Sequence, residues 1–214
     1  MKHYTIKEEV LNATTHFIGA ALSIAGFVFL IFRGVVLGSP LAITAFSIYG
    51  ACMILMYLSS GFYHSFQGKT VKKVFRVFDH CAIFLMIAGS FTPVILLSLE
   101  GLWRILSLIL IWAVAIGGIV FKSVTVGKFD KYNKISLMIF LTMGWLAVFI
   151  LPQIYRKEGL PLILLLALGG ALYSIGTIFY ENDRIPYNHG IWHIFIILAS
   201  AVQYFAILFQ YGFR

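Results

Sequence analysis

The sequence predicts an all-α polytopic membrane protein, a bundle of seven transmembrane helices with a cytoplasmic N-terminus and an external C-terminus. Three observations carry that expectation. Hydrophobic residues fill 61% of the 214 positions and charged residues only 11%, with a mean hydropathy of +0.95, where a soluble domain carries about a quarter charged residues. Apolar stretches long enough to cross a bilayer, about 20 residues each, recur seven times. Lys and Arg alternate between rich and poor connections.

The first span, 12–32, follows eleven residues that mix charge and polarity; its length suits a crossing rather than the short core of a cleaved signal, so no removed leader is expected. The second, 41–63, begins after Pro40 and ends at His64. The third, 78–98, contains Pro93, which is expected to kink it or to serve packing. The fourth, 103–121, and the fifth, 135–151, flank a basic connection from Lys122 to Lys134. The sixth, 160–180, follows a connection from Pro152 to Gly159. The seventh, 189–211, follows the polar turn Glu181-Asn182-Asp183-Arg184, with Asn188 as candidate N-cap. The remaining connections are Arg33 to Pro40, His64 to Val77 and Leu99 to Leu102. Residues 1–214 therefore read as one transmembrane domain without internal repeats.

Orientation follows from the basic residues. Eleven lie on one side: Lys2 and Lys7, Lys69, Lys72, Lys73 and Arg76, Lys122, Lys128, Lys131 and Lys134, and Arg184. Five lie on the other: Arg33, Arg104, Arg156, Lys157 and Arg214. The richer side is cytoplasmic by the positive-inside rule. The net charge of +8 is then topological, aided by anionic inner-leaflet lipids, and implies no nucleic acid. The expected location is the cell membrane and the expected partners are membrane lipids.

That topology brings His64, Asp79, His189 and His193 to one membrane face. His64 closes the second span, Asp79 opens the third, and the other two open the seventh. His189 and His193 are four residues apart, on one helix face and about 6 Å apart along its axis. Ser60 stands in the same relation to His64, one turn deeper. A lone intramembrane histidine commonly bonds across a bundle. Four ionisable groups at one depth, each costing a few kcal/mol near hydrocarbon, point instead to a shared partner. Three neutral imidazoles with an open fourth position suit catalytic zinc and do not suit Mg²⁺ or Ca²⁺. Asp79 has three available roles: fourth ligand, acceptor from a ligating histidine, or base beside a metal-activated water, the last being favoured. Ser60 is placed to bond that water or polarise a carbonyl.

Other polar residues have plainer readings. His16, a turn inside the first span, is expected to support the site from behind or, more simply, to partner Glu9 or Asn12. His80 points about 100° away from Asp79. His3 belongs to the N-terminal tail. Cys52 and Cys81, on separate spans, read as reduced small hydrophobes. Gly19 with Gly26, Gly117-Gly118 and Gly169-Gly170 permit close helix approach. Trp103, Tyr155, Tyr187 and Trp192 are interfacial anchors.

The chain resembles bacterial members of the hemolysin III family, within the progestin and adipoQ receptor group and the wider superfamily that holds alkaline ceramidases. The resemblance rests on Glu9-Val-Leu-Asn-Ala-Thr-Thr-His16, Ser59-Ser60-Gly-Phe-Tyr-His64, Phe78-Asp79-His80 with Gly89-Ser90-Phe91-Thr92-Pro93, and His189-Gly-Ile-Trp-His193. It implies a seven-helix bundle with its N-terminus inside and zinc held by His64, His189 and His193. It also implies contact of Asp79 with the zinc-bound water and places Ser60 beside the site. A membrane hydrolase of a lipid amide or ester is the expected function. The alternatives are a lipid-sensing receptor-like protein without turnover and a cytolysis-associated membrane protein. A channel is disfavoured because Gln203 and Gln210 are too few to line a path.

Overall fold

The computed structural model describes residues 4–128 and 131–213, so His3 lies outside the described residues. Among these residues there are helices and no strand. The helices are α1 (Ile6–Val36), α2 (Pro40–Ser65), α3 (Lys69–Ser98), α4 (Gly101–Val124), α5 (Asn133–Trp145), α6 (Leu151–Glu158), α7 (Leu160–Glu181) and α8 (Asn188–Tyr211). A 3₁₀ stretch, Leu146–Ile150, joins α5 to α6, so Asn133–Glu158 forms a single fifth span. Seven spans of this length and apolarity are present among the described residues. This is a multi-pass membrane protein.

Local chemistry sets the helix ends. The Thr5 hydroxyl accepts from the Glu8 amide at 3.3 Å while the Glu8 carboxylate accepts from the Thr5 amide at 2.8 Å. This capping box fixes the start of α1 and with it the position of Glu9. Ser39 caps α2 through the Ala42 amide, and Pro40 occupies a first-turn position where its missing N–H is no loss. Between α1 and α2 the chain turns at Gly38, whose φ of +60° a side chain would disfavour.

Several helix ends extend beyond the expected spans. Of the connection placed at His64 to Val77, only Phe66–Gly68 lies outside helix. Hydropathy marks the part of a helix in hydrocarbon, whereas Lys and Arg are good helix formers that carry the same helix on into the headgroup layer. Likewise 152–158 is helical rather than a loop, with Pro152 in the first turn of α6. Asn188 is not the N-cap of α8. Tyr187 holds that position with φ 56°, and the Asn188 amide instead donates to the Phe179 carbonyl at 3.1 Å.

The spans pack in a ring in which α8 closes back on α1, and α3 also touches α5, α6 and α8. The α3 window is accordingly 67% buried, the highest share of any span. The helix runs unbroken through Pro93, which is itself buried. Close approach uses both Gly19 and Gly26, the latter against the Tyr204 ring, and one glycine of each adjacent pair. A Cβ on Gly19 would lie 2.6 Å from the Tyr57 ring, and one on Gly118 would overlap Phe84, while Gly117 and Gly170 have nothing within 4 Å. Successive helical residues point about 100° apart, so a pair cannot face one neighbour. At the end of the bundle where α3 finishes, Ser98 and Gln210 donate to the buried Glu158 carboxylate at 3.0 and 2.5 Å, tying α3, α6 and α8.

Candidate metal centre

The last turn of α2 and the first two turns of α8 meet at the end of the bundle where α1 begins. There His64, His189 and His193 are all buried, and their ligand-capable nitrogens lie within 4.8 Å of one another. Ring centroids are 5.0 Å apart for His64 and His189, 5.2 Å for His64 and His193, and 4.5 Å for His189 and His193. The i, i+4 spacing on α8 does what helical geometry requires, and the α2 histidine supplies the third corner. This cluster could hold a metal ion.

The hydrogen bonds behind the rings decide which nitrogens face the cluster. His193 Nδ1 is 3.1 Å from the Asn12 carbonyl, which can only accept, so this nitrogen carries the proton and Nε2 keeps its lone pair. The Thr15 hydroxyl donates to the Asn12 carbonyl at 2.9 Å, which leaves its oxygen free to accept from His193 at 3.2 Å. His64 Nδ1 donates to Glu9 Oε2 at 2.6 Å, which likewise leaves Nε2 as an acceptor. His64 Nε2 is 3.2 Å from His189 Nε2.

Glu9 is the residue that sequence reasoning placed elsewhere. One sequence reading makes it, or Asn12, the partner of His16; in the structure its two oxygens bind His64 and the Lys72 ammonium, the latter at 2.5 Å. A signal for it exists in the sequence. Glu9, Asn12 and His16 follow helical spacing on one face of α1, and a buried carboxylate at 6% exposure needs partners. The partners sit 55 and 63 residues away, on α2 and α3, where spacing gives no guidance.

His16 is therefore not a partner of Glu9 or of the Asn12 side chain. Its ring stacks on His193 with centroids 3.5 Å apart and planes at 20°. Behind it Tyr57 packs edge-on at 5.2 Å. Tyr4, ahead of α1, covers the cluster from outside, 5.0 Å from His189 and 5.9 Å from His64 by ring centroid. Burial pushes its phenol well above the ordinary tyrosine value, so it stays neutral.

Asp79 and Ser60 line the same polar cavity as His189 and His193, about 430 Å³ in volume. The close cluster of metal-capable groups comprises the three histidines and does not include Asp79. His80 also borders this cavity. Cys52 and Cys81 are free thiols, as expected. Beneath the polar cavity lies an apolar one of about 170 Å³ between α3, the fifth span, α7 and α8. Met56, Ile83, Leu137, Phe140, Trp192 and Ile196 border both.

Replacing Glu9 by Gln removes the charge that holds His64 while keeping its shape. Loss of such an outer partner typically weakens a metal site 10–100-fold. Competition with a metal-buffering dye should show that drop for Glu9→Gln at unchanged helicity; unaltered affinity would mean that Glu9 serves only the Lys72 ion pair.

The chain as a whole is similar to known membrane-protein sequences. A family model described as Haemolysin-III related matches residues 4–204. The hemolysin-3 homolog of Bacillus subtilis (strain 168) is 43% identical over 206 residues, covering 96% of this chain and 95% of that protein. Hemolysin-3 of Bacillus cereus is 43% identical over 207 residues, 95% and 92% of the two chains. The human monocyte to macrophage differentiation factor is 33% identical over 175 residues, 78% of this chain and 70% of that protein.

Proposed function

The chain belongs to the haemolysin-III-related family of bacterial membrane proteins, and we propose that it is a zinc-dependent hydrolase of a lipid amide or ester. The observation that carries this reading is the pair of Nε2 atoms 3.2 Å apart on His64 and His189. With His64 Nδ1 already donating to Glu9, His64 Nε2 offers a lone pair. Nitrogens bound tetrahedrally to one zinc at about 2.0–2.1 Å are separated by about 3.3 Å. Three neutral nitrogen donors favour zinc over the oxygen-seeking Mg²⁺ and Ca²⁺.

When bound, zinc supplies Lewis-acid activation of a water and of a carbonyl oxygen. The remaining work belongs to the chain. Asp79, outside the ligand cluster and on the cavity wall, accepts the proton of the attacking water and returns it to the departing amine or alcohol. As the carbon–oxygen bond forms and the scissile bond breaks, Ser60 orients the Asp79 carboxylate through its hydroxyl. The Tyr4 ring screens the site on its outer side. A headgroup and carbonyl fit the polar cavity, and an alkyl tail fits the apolar one that shares its walls.

The same reading puts this end of the bundle at the cytoplasmic face, since Lys69, Lys72, Lys73 and Arg76 all lie in the first two turns of α3 beside it. Purified protein loaded with zinc in bilayer discs should release fatty acid from at least one class among ceramides, N-acyl amines and phospholipids. That release should stop on zinc chelation and return on readdition. Tight lipid binding at full zinc occupancy with no release from any class would favour the lipid-sensing alternative and remove the hydrolase.

A further inference from the structure

His16 is left unexplained by the metal centre. It is 2% exposed, and both ring nitrogens are buried without a hydrogen-bond partner among the described residues. More than nine in ten buried polar groups find a partner, and one left without carries the full penalty of desolvation. An apolar ring of the same shape would fill the gap between His193 and Tyr57 equally well and avoid that penalty. The imidazole therefore answers to something that visits the site.

Its position says what the visitor carries. His16 lies against the face of His193 and borders the polar cavity. Met56 and Ile196 line that cavity with it and border the apolar one as well. A lipid bound with its carbonyl at the histidine cluster and its tail in the apolar cavity passes His16 with the first few carbons beyond the carbonyl. An imidazole has one donor and one acceptor nitrogen, and a hydroxyl can serve either. Resting on the lipid-hydrolase reading, we propose that His16 is a specificity-determining residue that hydrogen-bonds a hydroxyl two or three bonds from the carbonyl on the acyl side, so that the protein selects hydroxyacyl lipids.

The test uses two chelating probes, palmitoyl hydroxamate and β-hydroxypalmitoyl hydroxamate, against zinc-loaded wild type and His16→Phe. The wild type should bind the hydroxylated probe roughly tenfold more tightly, the worth of one hydrogen bond in a closed site. His16→Phe should bind both equally, with unchanged zinc content and an equal or higher Tm, because the orphaned nitrogens are gone. Equal binding of the two probes by the wild type would overturn this proposal and leave the hydrolase standing. So would a preference that survives in His16→Phe. A variant that unfolds or melts early would overturn it too, by showing that His16 and the neighbouring Asn12 amide, also without partners, share a structural water. Binding of neither probe by zinc-loaded wild type would remove both readings.

Discussion

His193→Ala is expected to lose the metal outright, falling from about one zinc per chain to background by mass spectrometry of protein purified without chelators. The reason lies in how little redundancy the cluster has. His64 comes from α2, and His189 sits in the first turn of α8, so removing His193 leaves two nitrogens from two helices and no third corner. Loss of an outer hydrogen-bond partner alone weakens such sites 10–100-fold, and a ligand counts for more. A metal that binds only the folded chain adds about 2.7 kcal/mol of stability at a hundredfold excess over its dissociation constant. Wild-type Tm should therefore rise on zinc addition, and the variant's should not move. The variant also strips the Asn12 carbonyl of its imidazole donor, so its resting Tm will be lower. The informative quantity is the shift with zinc, not the starting value. A variant that keeps one zinc per chain would show that the histidines are bundle contacts.

The crossings were legible because hydrocarbon imposes one rule on every helix that enters it, and seven apolar runs satisfy that rule along this chain. Their ends were less legible. The bilayer stops selecting for apolar residues at the headgroups, while backbone hydrogen bonding continues, so α3 starts at Lys69 and not near Phe78. Within the site, His189 and His193 were visible through their spacing on one helix. His64 was visible through its place at a span end on the same face. Glu9 and His16 were read on the correct helix; of the two readings of His16, support of the site from behind is what its stacking on His193 gives, and a pairing with Glu9 or the Asn12 side chain is not what forms. What Glu9 and His16 meet depends on how α1 is rotated against α2, α3 and α8, which no periodicity within α1 encodes. The adjacent glycine pairs were half legible for a related reason: the sequence shows two small residues, but only the packing shows that Gly118 faces Phe84 and Gly169 faces Gln203.

Asp79→Asn should separate chemistry from metal binding. Asparagine keeps the shape of the side chain and an oxygen that can accept from Ser60, but it cannot take a proton from water. General-base catalysis by a positioned group contributes about 10²–10⁴ in rate. Fatty-acid release should fall by that range with zinc content unchanged, because Asp79 stands outside the cluster of nitrogens that could hold the metal. Ser60→Ala should cost less, since the carboxylate would survive and lose only the hydroxyl that orients it in this mechanism. A parallel loss of zinc in Asp79→Asn would make the carboxylate a fourth ligand. Retained zinc with retained turnover would pass the proton to another group on the cavity wall. Zinc counted per chain and turnover counted per zinc distinguish all three, because the first reads the ligand set and the second reads what happens beside it.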